Sequence, residues 1–323
     1  MEPETIFRHA VAQHRLGRLD EAVAGYRAVL AAQPDLVIAR DNLCQALLAA
    51  GDYREGFSLY DVRFEREGKR VERPTLSFPE WRGEPLDGRS LLVWPEQGYG
   101  DQIMLARFAV QAALRQGARV TLLAPPALVE LFRRNLPIAA AIEVIAAAGD
   151  VQIPRHDAWA MAGSLPGRLG VAEPGDQPYL AGMPPAQAAS ASGIGVVWKG
   201  DPRYHADAER SMPDDVGRRL LDLPGAVCLH PEATGVADFA QTADIIRDLR
   251  AVVTTDTSVA HLAGAMGKPT TILLAPLPDW RWGFEGSASA WYASVRLIRR
   301  RAGEPWTDVI ERLLAHPPPA GRP

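Results

Sequence analysis

Shifted by 34 residues, the opening of the chain falls on itself: Gly17 meets Gly51, Leu19 meets Tyr53, Glu21 meets Glu55 and Tyr26 meets Tyr60. A period of this length, written as helix, glycine-containing turn and helix, predicts two helical hairpins. Leu43 and Leu47 supply the apolar face of a further helix. Two repeats cannot close a core of their own, so the hairpins must rest on the rest of the chain or on another subunit. From 65 to 89 the helical period is lost while Arg66, Lys69, Arg70, Arg73, Pro74, Pro79 and Pro85 collect, which predicts an ordered connector and a domain boundary.

Beyond it the pattern alternates. Short apolar runs at Leu91–Trp94, Arg119–Leu123 and Ile142–Ile145 read as strands, separated by helical periods over 102–116 and 127–135. After a stretch rich in Pro, Ala and Ser at 182–193, strands are expected at Gly193–Trp198, Ala226–Leu229, Ala251–Thr255 and Thr270–Leu274. Helices are expected over 213–222, 238–249, 259–266 and about 306–315, the last able to pack on either domain. Strand and helix in alternation predict an α/β fold with parallel sheets. The resulting division is helical repeats at 1–68, a connector at 69–88, one Rossmann-like domain at 89–182 and a second at 190–323. Open sheets bind ligands beyond the carboxyl ends of their strands, so the cleft between these domains is the expected site.

Composition narrows the classes. The chain has 323 residues, enough for about two domains, and 35 Lys plus Arg against 39 Asp plus Glu leave a net charge of −4. That balance offers no basic footprint for nucleic acid or an anionic membrane. Cys44 and Cys228 lack metal-ligand or redox-motif spacing and are expected as buried thiols in a reducing cytosol. The longest apolar run, Ile138–Ala148, is broken by Glu143 and falls short of the ~20 residues of a membrane span. The acidic start, Met1-Glu2-Pro3-Glu4, is unlike a secretory signal, so a cytoplasmic protein is expected.

Three segments carry candidate chemistry. In Glu96-Gln97-Gly98-Tyr99-Gly100-Asp101, Gly98 and Gly100 would let backbone approach a ligand at a helix start. The third glycine of a dinucleotide fingerprint would fall at Ile103, and no GK[ST] follows, so neither dinucleotide nor P-loop chemistry is implied. Asp101 reads either as an N-cap or as a carboxylate facing the cleft, ionised beside the helix terminus and able to take a proton from a hydroxyl. In Asp256-Thr257-Ser258-Val259-Ala260-His261, Thr257 or Ser258 can cap a helix whose free first-turn N–H groups suit a diphosphate, with His261 one turn along. The alternative is an ordinary capped helix with a packed histidine. Lys199, Arg210 and Ser211, in the loop leaving a strand, could neutralise phosphate, although single surface cations are usually only solvated. The tryptophans of Asp279-Trp280-Arg281-Trp282 and Trp291-Tyr292 read mostly as packing. GxSxG, HExxH and paired DxD carboxylates are absent, so hydrolase and metalloenzyme readings lack support and no metal is expected.

Ala10, Gly17, Ala22, Tyr26 and Pro34 resemble the tetratricopeptide repeat, the second copy carrying Cys44 and Gly56 at positions usually held by alanine. Residues 96–101, Val197-Trp198-Lys199-Gly200, Arg210-Ser211-Met212-Pro213, 256–263 and Pro278-Asp279-Trp280-Arg281-Trp282 together resemble the heptosyltransferase-like glycosyltransferases of GT-B fold. The resemblance runs from about 75 to 315 and implies inverting, metal-independent sugar transfer. It assigns Asp101 as general base, Lys199 to the leaving diphosphate, Asp256 to the sugar and the backbone of Thr257–Val259 to phosphate. It also assigns Glu232, within 228–232, to the ribose, and Trp198 or Trp280 to the base. Ser258 stands where the family often has Asp-Thr-Gly, leaving less room for backbone approach. The reading is a transferase using a nucleotide-sugar as co-substrate on a protein or peptide acceptor, flagellin-like, positioned by the repeats, with a homo-oligomer open. The alternative is a non-catalytic scaffold, which would need none of Asp101, Lys199 and Asp256. A sugar-nucleotide epimerase would need acid and base on both sides of the sugar, and these are not found.

Overall fold

A computed structural model describes residues 2–68, 71–180, 192–204 and 207–318. Lys69, Arg70 and most of the Pro/Ala/Ser stretch lie outside the described residues. The chain opens with helices α1 (Pro3–Arg15), α2 (Leu19–Ala32), α3 (Val37–Ala50) and α4 (Tyr53–Leu59), followed by a 3₁₀ segment, Tyr60–Phe64. Pro3 and Glu4 start α1 and Arg15 ends it, the charges of Glu4 and Arg15 matched to their ends of the helix dipole. Gly17 and Gly51, one period apart, hold φ of +74° and +86° at the hairpin turns, where a side chain would be strained. A Cβ on Gly25 would sit 2.7 Å from Ala10 Cβ, so small residues set the distance between α1 and α2.

The first sheet consists of β1 (Ser90–Trp94), β2 (Arg119–Ala124), β3 (Glu143–Ala146) and β4 (Ala158–Met161) in the order β3-β2-β1-β4, all parallel. Helices α5 (Tyr99–Gln116) and α6 (Pro126–Asn135) follow β1 and β2, and a short α7 (Leu165–Arg168) follows β4. In the connector, Trp81 is buried and its N–H donates to Trp159 O of β4 at 2.7 Å, while the Trp159 N–H donates to Pro79 O at 3.0 Å. The second sheet consists of β5 (Ile194–Val197), β6 (Ala226–Cys228), β7 (Ala251–Thr255), β8 (Thr270–Leu274) and β9 (Val295–Arg299), ordered β6-β5-β7-β8-β9 and again parallel. With it come α8 (Asp207–Arg210), α9 (Asp214–Gly217), α10 (Pro231–Thr234), α11 (Phe239–Asp248), α12 (Ser258–Ala265) and α13 (Trp306–Ala315). β7 and β8 are buried along their whole length, as expected of parallel strands covered on both faces. Two parallel α/β bodies behind an α-helical segment give the GT-B architecture.

Several elements depart from the sequence reading. The helix expected over 213–222 is one α turn followed by a 3₁₀ segment, Arg218–Asp222, and β4 and β9 were not anticipated. The helix expected from 102 begins at Tyr99, which places Gly100 inside its first turn. α13 packs on the second sheet through Trp306, Val309, Ile310 and Leu313. Cys44 is buried but Cys228 only partly so.

The hairpins rest on both bodies. Phe57 meets Phe108, Trp280 and Trp291 edge-on at centroid separations of 5.9–6.3 Å, and a Cβ on Gly17 would touch the Phe284 ring at 3.0 Å. A single apolar core therefore runs from α3 and α4 through both sheets.

Candidate active site

Each sheet reverses its winding once. In the first, β2 and β3 extend to one side of β1 and β4 to the other; in the second, β6 lies on one side of β5 and β7 on the other. The crevice beyond the carboxyl ends at such a switch point is where open sheets hold ligands. The first crevice lies between the loop after β1, residues 95–98, and Ala162–Ser164 after β4. The second lies between Trp198-Lys199 after β5 and Asp256-Thr257 after β7.

Asp101 stands at the third position of α5 and is not its N-cap, because Gly98 fills that place with φ of −79°. Its Oδ2 accepts the Gly98 N–H at 3.0 Å, satisfying a backbone group that the helix leaves open. Its Oδ1 accepts from Arg281 Nη2 of the second body, and Arg281 Nη1 donates to Asp279 Oδ1 at 2.6 Å. Arg281 is buried, lies over the Trp280 ring at 4.4 Å, and keeps Nε without a partner among the described residues. Burial raises the Asp101 carboxyl above its ordinary range, Arg281 opposes this, and Asp279 adds to it.

Asp256 follows β7, and burial with the neighbouring Asp279 charge pushes its carboxyl up to about 6, against Arg210 and Arg281. Thr257 caps α12 without using its side chain, which instead pairs with Thr254 Oγ1 at 3.0 Å. The first-turn N–H groups of α12 are thus not taken by a capping side chain. Ser258 is half-buried and Val259 buried.

The space beside Gly100 is occupied by protein. A Cβ there would lie 2.8 Å from His261 Cδ2 and 3.3 Å from Ser258 Cα, so this glycine lets α5 and α12 approach each other. His261 is a packed histidine: it stacks on Trp282 at 5.2 Å and bonds the Tyr292 hydroxyl through Nδ1 at 3.0 Å. Burial lowers its pKa well below the ordinary value, so it is neutral at neutral pH.

Lys199 Nζ pairs with Asp214 at 3.1 Å, and the same carboxylate accepts the Trp198 indole N–H at 2.8 Å. Ser211 accepts the Gly200 N–H at 2.9 Å and donates to Asp207, which also holds Arg210 at 3.0 Å. Arg210 lies over the Tyr204 ring at 4.4 Å. Glu232 is exposed on α10. Trp198 and Trp280 are both buried, the first edge-on to His230 at 4.5 Å and the second among Phe57, Tyr60 and Trp291, so neither offers a free face to a base. Among the described residues, no group of three or more His, Cys, Asp or Glu is arranged to hold a metal ion, and no helix is long and apolar enough to cross a membrane.

Sequence reasoning overlooked Arg281, Glu96 and Arg63. Arg281 sat within a motif read for its tryptophans. Glu96 lies fully buried beside the Asp101 loop, where Arg63 donates to both its oxygens at 2.8 Å and the Gly163 N–H donates at 2.6 Å. Gln97 takes φ of +64°, a left-handed conformation that costs a non-glycine residue roughly 1–3 kcal/mol. Its amide donates to the Tyr60 hydroxyl at 3.0 Å.

Two parallel-sheet bodies with facing switch-point crevices define a two-domain α/β protein of GT-B type. Residues 231–312, within the second body, match the model of Glycosyltransferase family 9 (heptosyltransferase). Protein FlbA of Caulobacter vibrioides is 25% identical over 94% of this chain, and the chain spans 59% of FlbA's length. Among solved structures, E. coli heptosyltransferase WaaC with ADP is 12% identical, covering 70% of this chain and 99% of its own with a TM-score of 0.47. The glycosyl transferase family 9 protein of Veillonella parvula DSM 2008 is also 12% identical, covering 73% and 91% with a TM-score of 0.44.

Proposed function

We propose that the chain is a glycosyltransferase that moves a sugar from a nucleotide-sugar to an acceptor hydroxyl, with inversion and without a metal, on a protein or peptide acceptor. The observation that carries this reading is the contact of Asp101, at the first switch point, with the Arg281–Asp279 pair of the second body, whose charges also act on Asp256 at the carboxyl end of β7. A base from one body and a sugar-holding carboxylate from the other suit transfer between two bound substrates.

Asp101 takes the proton of the acceptor hydroxyl while the hydroxyl oxygen forms its bond to the anomeric carbon. The bond from that carbon to the diphosphate oxygen breaks, and its electron pair leaves with the nucleotide. Among the described residues each Asp101 oxygen accepts one hydrogen bond, which leaves acceptor capacity for the substrate. The N–H groups at the start of α12 and the Lys199 ammonium meet the leaving charge, Lys199 exchanging Asp214 for phosphate. Asp256 accepts hydrogen bonds from the sugar hydroxyls, and Glu232 those of the ribose. The helical hairpins, similar to peptide-binding repeats, hold the acceptor chain; transfer to a small lipid core would not call for them.

The test is thermal shift with UDP, GDP, ADP, CDP and CMP, with and without magnesium, followed by transfer from the matching nucleotide-sugar. A rise with one nucleotide that needs no magnesium, and loss of transfer in Asp101→Asn with nucleotide binding kept, are the expected results. No rise with any of them supports the scaffold reading, and unchanged turnover in Asp101→Asn removes its role.

A further inference from the structure

The helical segment reaches into the first body at one charged point. Arg63, on the 3₁₀ segment after α4, is 10% exposed and grips the wholly buried carboxylate of Glu96 with two hydrogen bonds of 2.8 Å. Its remaining donors go to Tyr60 O at 2.8 Å, Asp61 Oδ1 at 3.0 Å and Ser164 Oγ at 3.0 Å. Asp61 in turn accepts from Ser164 Oγ at 2.6 Å and from Arg168 at 2.6 Å. Residues 60–63 thus bind both loops of the first switch point, the one after β1 through Glu96 and the one after β4 through Ser164.

The connection to Asp101 is short. Glu96 is followed by the left-handed Gln97, tied to Tyr60, and then by Gly98, whose N–H holds Asp101 Oδ2. Gln102 also donates to Gln97 O at 3.2 Å, so the turn is closed from the helix side. Gly163 has no room for a side chain, because a Cβ would meet Glu96 Oε1 at 2.8 Å and the Tyr60 ring at 3.1 Å. A two-pronged guanidinium–carboxylate pair fixes orientation as well as distance, which a lysine cannot reproduce.

We propose that Arg63 is a positioning residue of the transfer site: by clamping Glu96 it sets the turn that presents Asp101, making the helical segment part of the catalytic body as well as an acceptor-holding arm. The inference rests on the transferase reading for its functional consequence. Its structural content, that Arg63 orders residues 95–101, is measurable without it.

Arg63→Lys, which keeps the charge and loses the fork, and Glu96→Gln are compared with the wild type in the full chain. Three readouts are taken: amide hydrogen exchange across 95–101, affinity for whichever nucleotide of the UDP, GDP, ADP, CDP and CMP panel binds the wild type, and release of that nucleotide from its nucleotide-sugar. Exchange across 95–101 is expected to rise at least tenfold while α12 keeps its protection. Turnover is expected to fall at least tenfold, with nucleotide affinity within twofold of wild type. Unchanged exchange and turnover in both variants overturn the inference. So does a uniform loss of protection and nucleotide binding, which marks a merely structural pair. If the wild type binds no nucleotide, the transferase reading fails by itself, and exchange at 95–101 still decides whether Arg63 orders the turn.

Discussion

Replacing Arg281 by methionine keeps the stem over Trp280 and removes the charge that Asp101 and Asp279 share. Breaking a fully buried pair costs roughly 3–5 kcal/mol and an exposed one roughly 0–1. Arg281 is 7% exposed, but Asp101 and Asp279 are 24% and 30% exposed, so water relieves part of the loss. An intermediate cost of about 2 kcal/mol follows, or a fall in Tm of roughly 3 °C for a chain of this length. Asp101 also loses the main influence that lowers its pKa, while burial and the Asp279 charge still raise it. At an effective dielectric of about 20, a contact pair at ~4 Å carries about 4 kcal/mol, so even after screening the Asp101 pKa climbs further in the variant. A carboxylate with a raised pKa is tolerated best when protonated. The destabilisation is therefore largest at pH 8, where Asp101 is ionised, and shrinks as pH falls through its raised pKa. The assay is thermal unfolding of wild type and Arg281→Met from pH 5 to 8, together with the acid limb of turnover, which moves to higher pH in the variant. Equal melting at every pH and an unmoved acid limb would refute the claim that Arg281 holds Asp101.

Other outcomes follow from the same contacts. Lys199→Ala weakens nucleoside diphosphates about tenfold more than monophosphates in binding titrations, and an equal loss for both removes the contact to the leaving phosphate. Asp256 titrates at about 6 in the folded chain, above its ordinary value of about 4, so wild-type stability falls as pH rises between the two. Asp256→Asn accordingly melts higher than wild type above pH 6, matches it below about pH 4, and loses transfer; a variant that melts lower at pH 8 contradicts the raised pKa. Gly100→Ala drives a methyl group against His261 and the Ser258 backbone, costing roughly 1–3 kcal/mol in denaturant unfolding. If it melts like the wild type, α5 and α12 are not in close contact.

The strands easiest to read from sequence were those with long buried runs, such as Ala251–Thr255 and Thr270–Leu274. β4 and β9 escaped notice for different reasons. Ala158–Met161 has only four residues and follows a stretch without a crossover helix, while Val295–Arg299 alternates apolar residues with arginines as a half-exposed edge strand does. Asp101, Asp256 and Arg281 were all visible as residues in motifs. Only the first two looked like chemistry, because an arginine between two tryptophans gives no local sign of which carboxylate it will meet.

The sequence by itself determined the classes of element and their order, because hydrophobic period, glycine turns and caps act within a few residues. The 34-residue repeat, the alternation of strand and helix and the candidate acids at strand ends are local facts of that kind. Tertiary structure decided which partners those residues have. Gly100 borders His261 and not an open loop, Arg281 crosses between bodies to Asp101, and Arg63 reaches from the helical segment to Glu96. Such pairs join residues up to 180 positions apart, and buried charges choose them by geometry and desolvation, which no local pattern records.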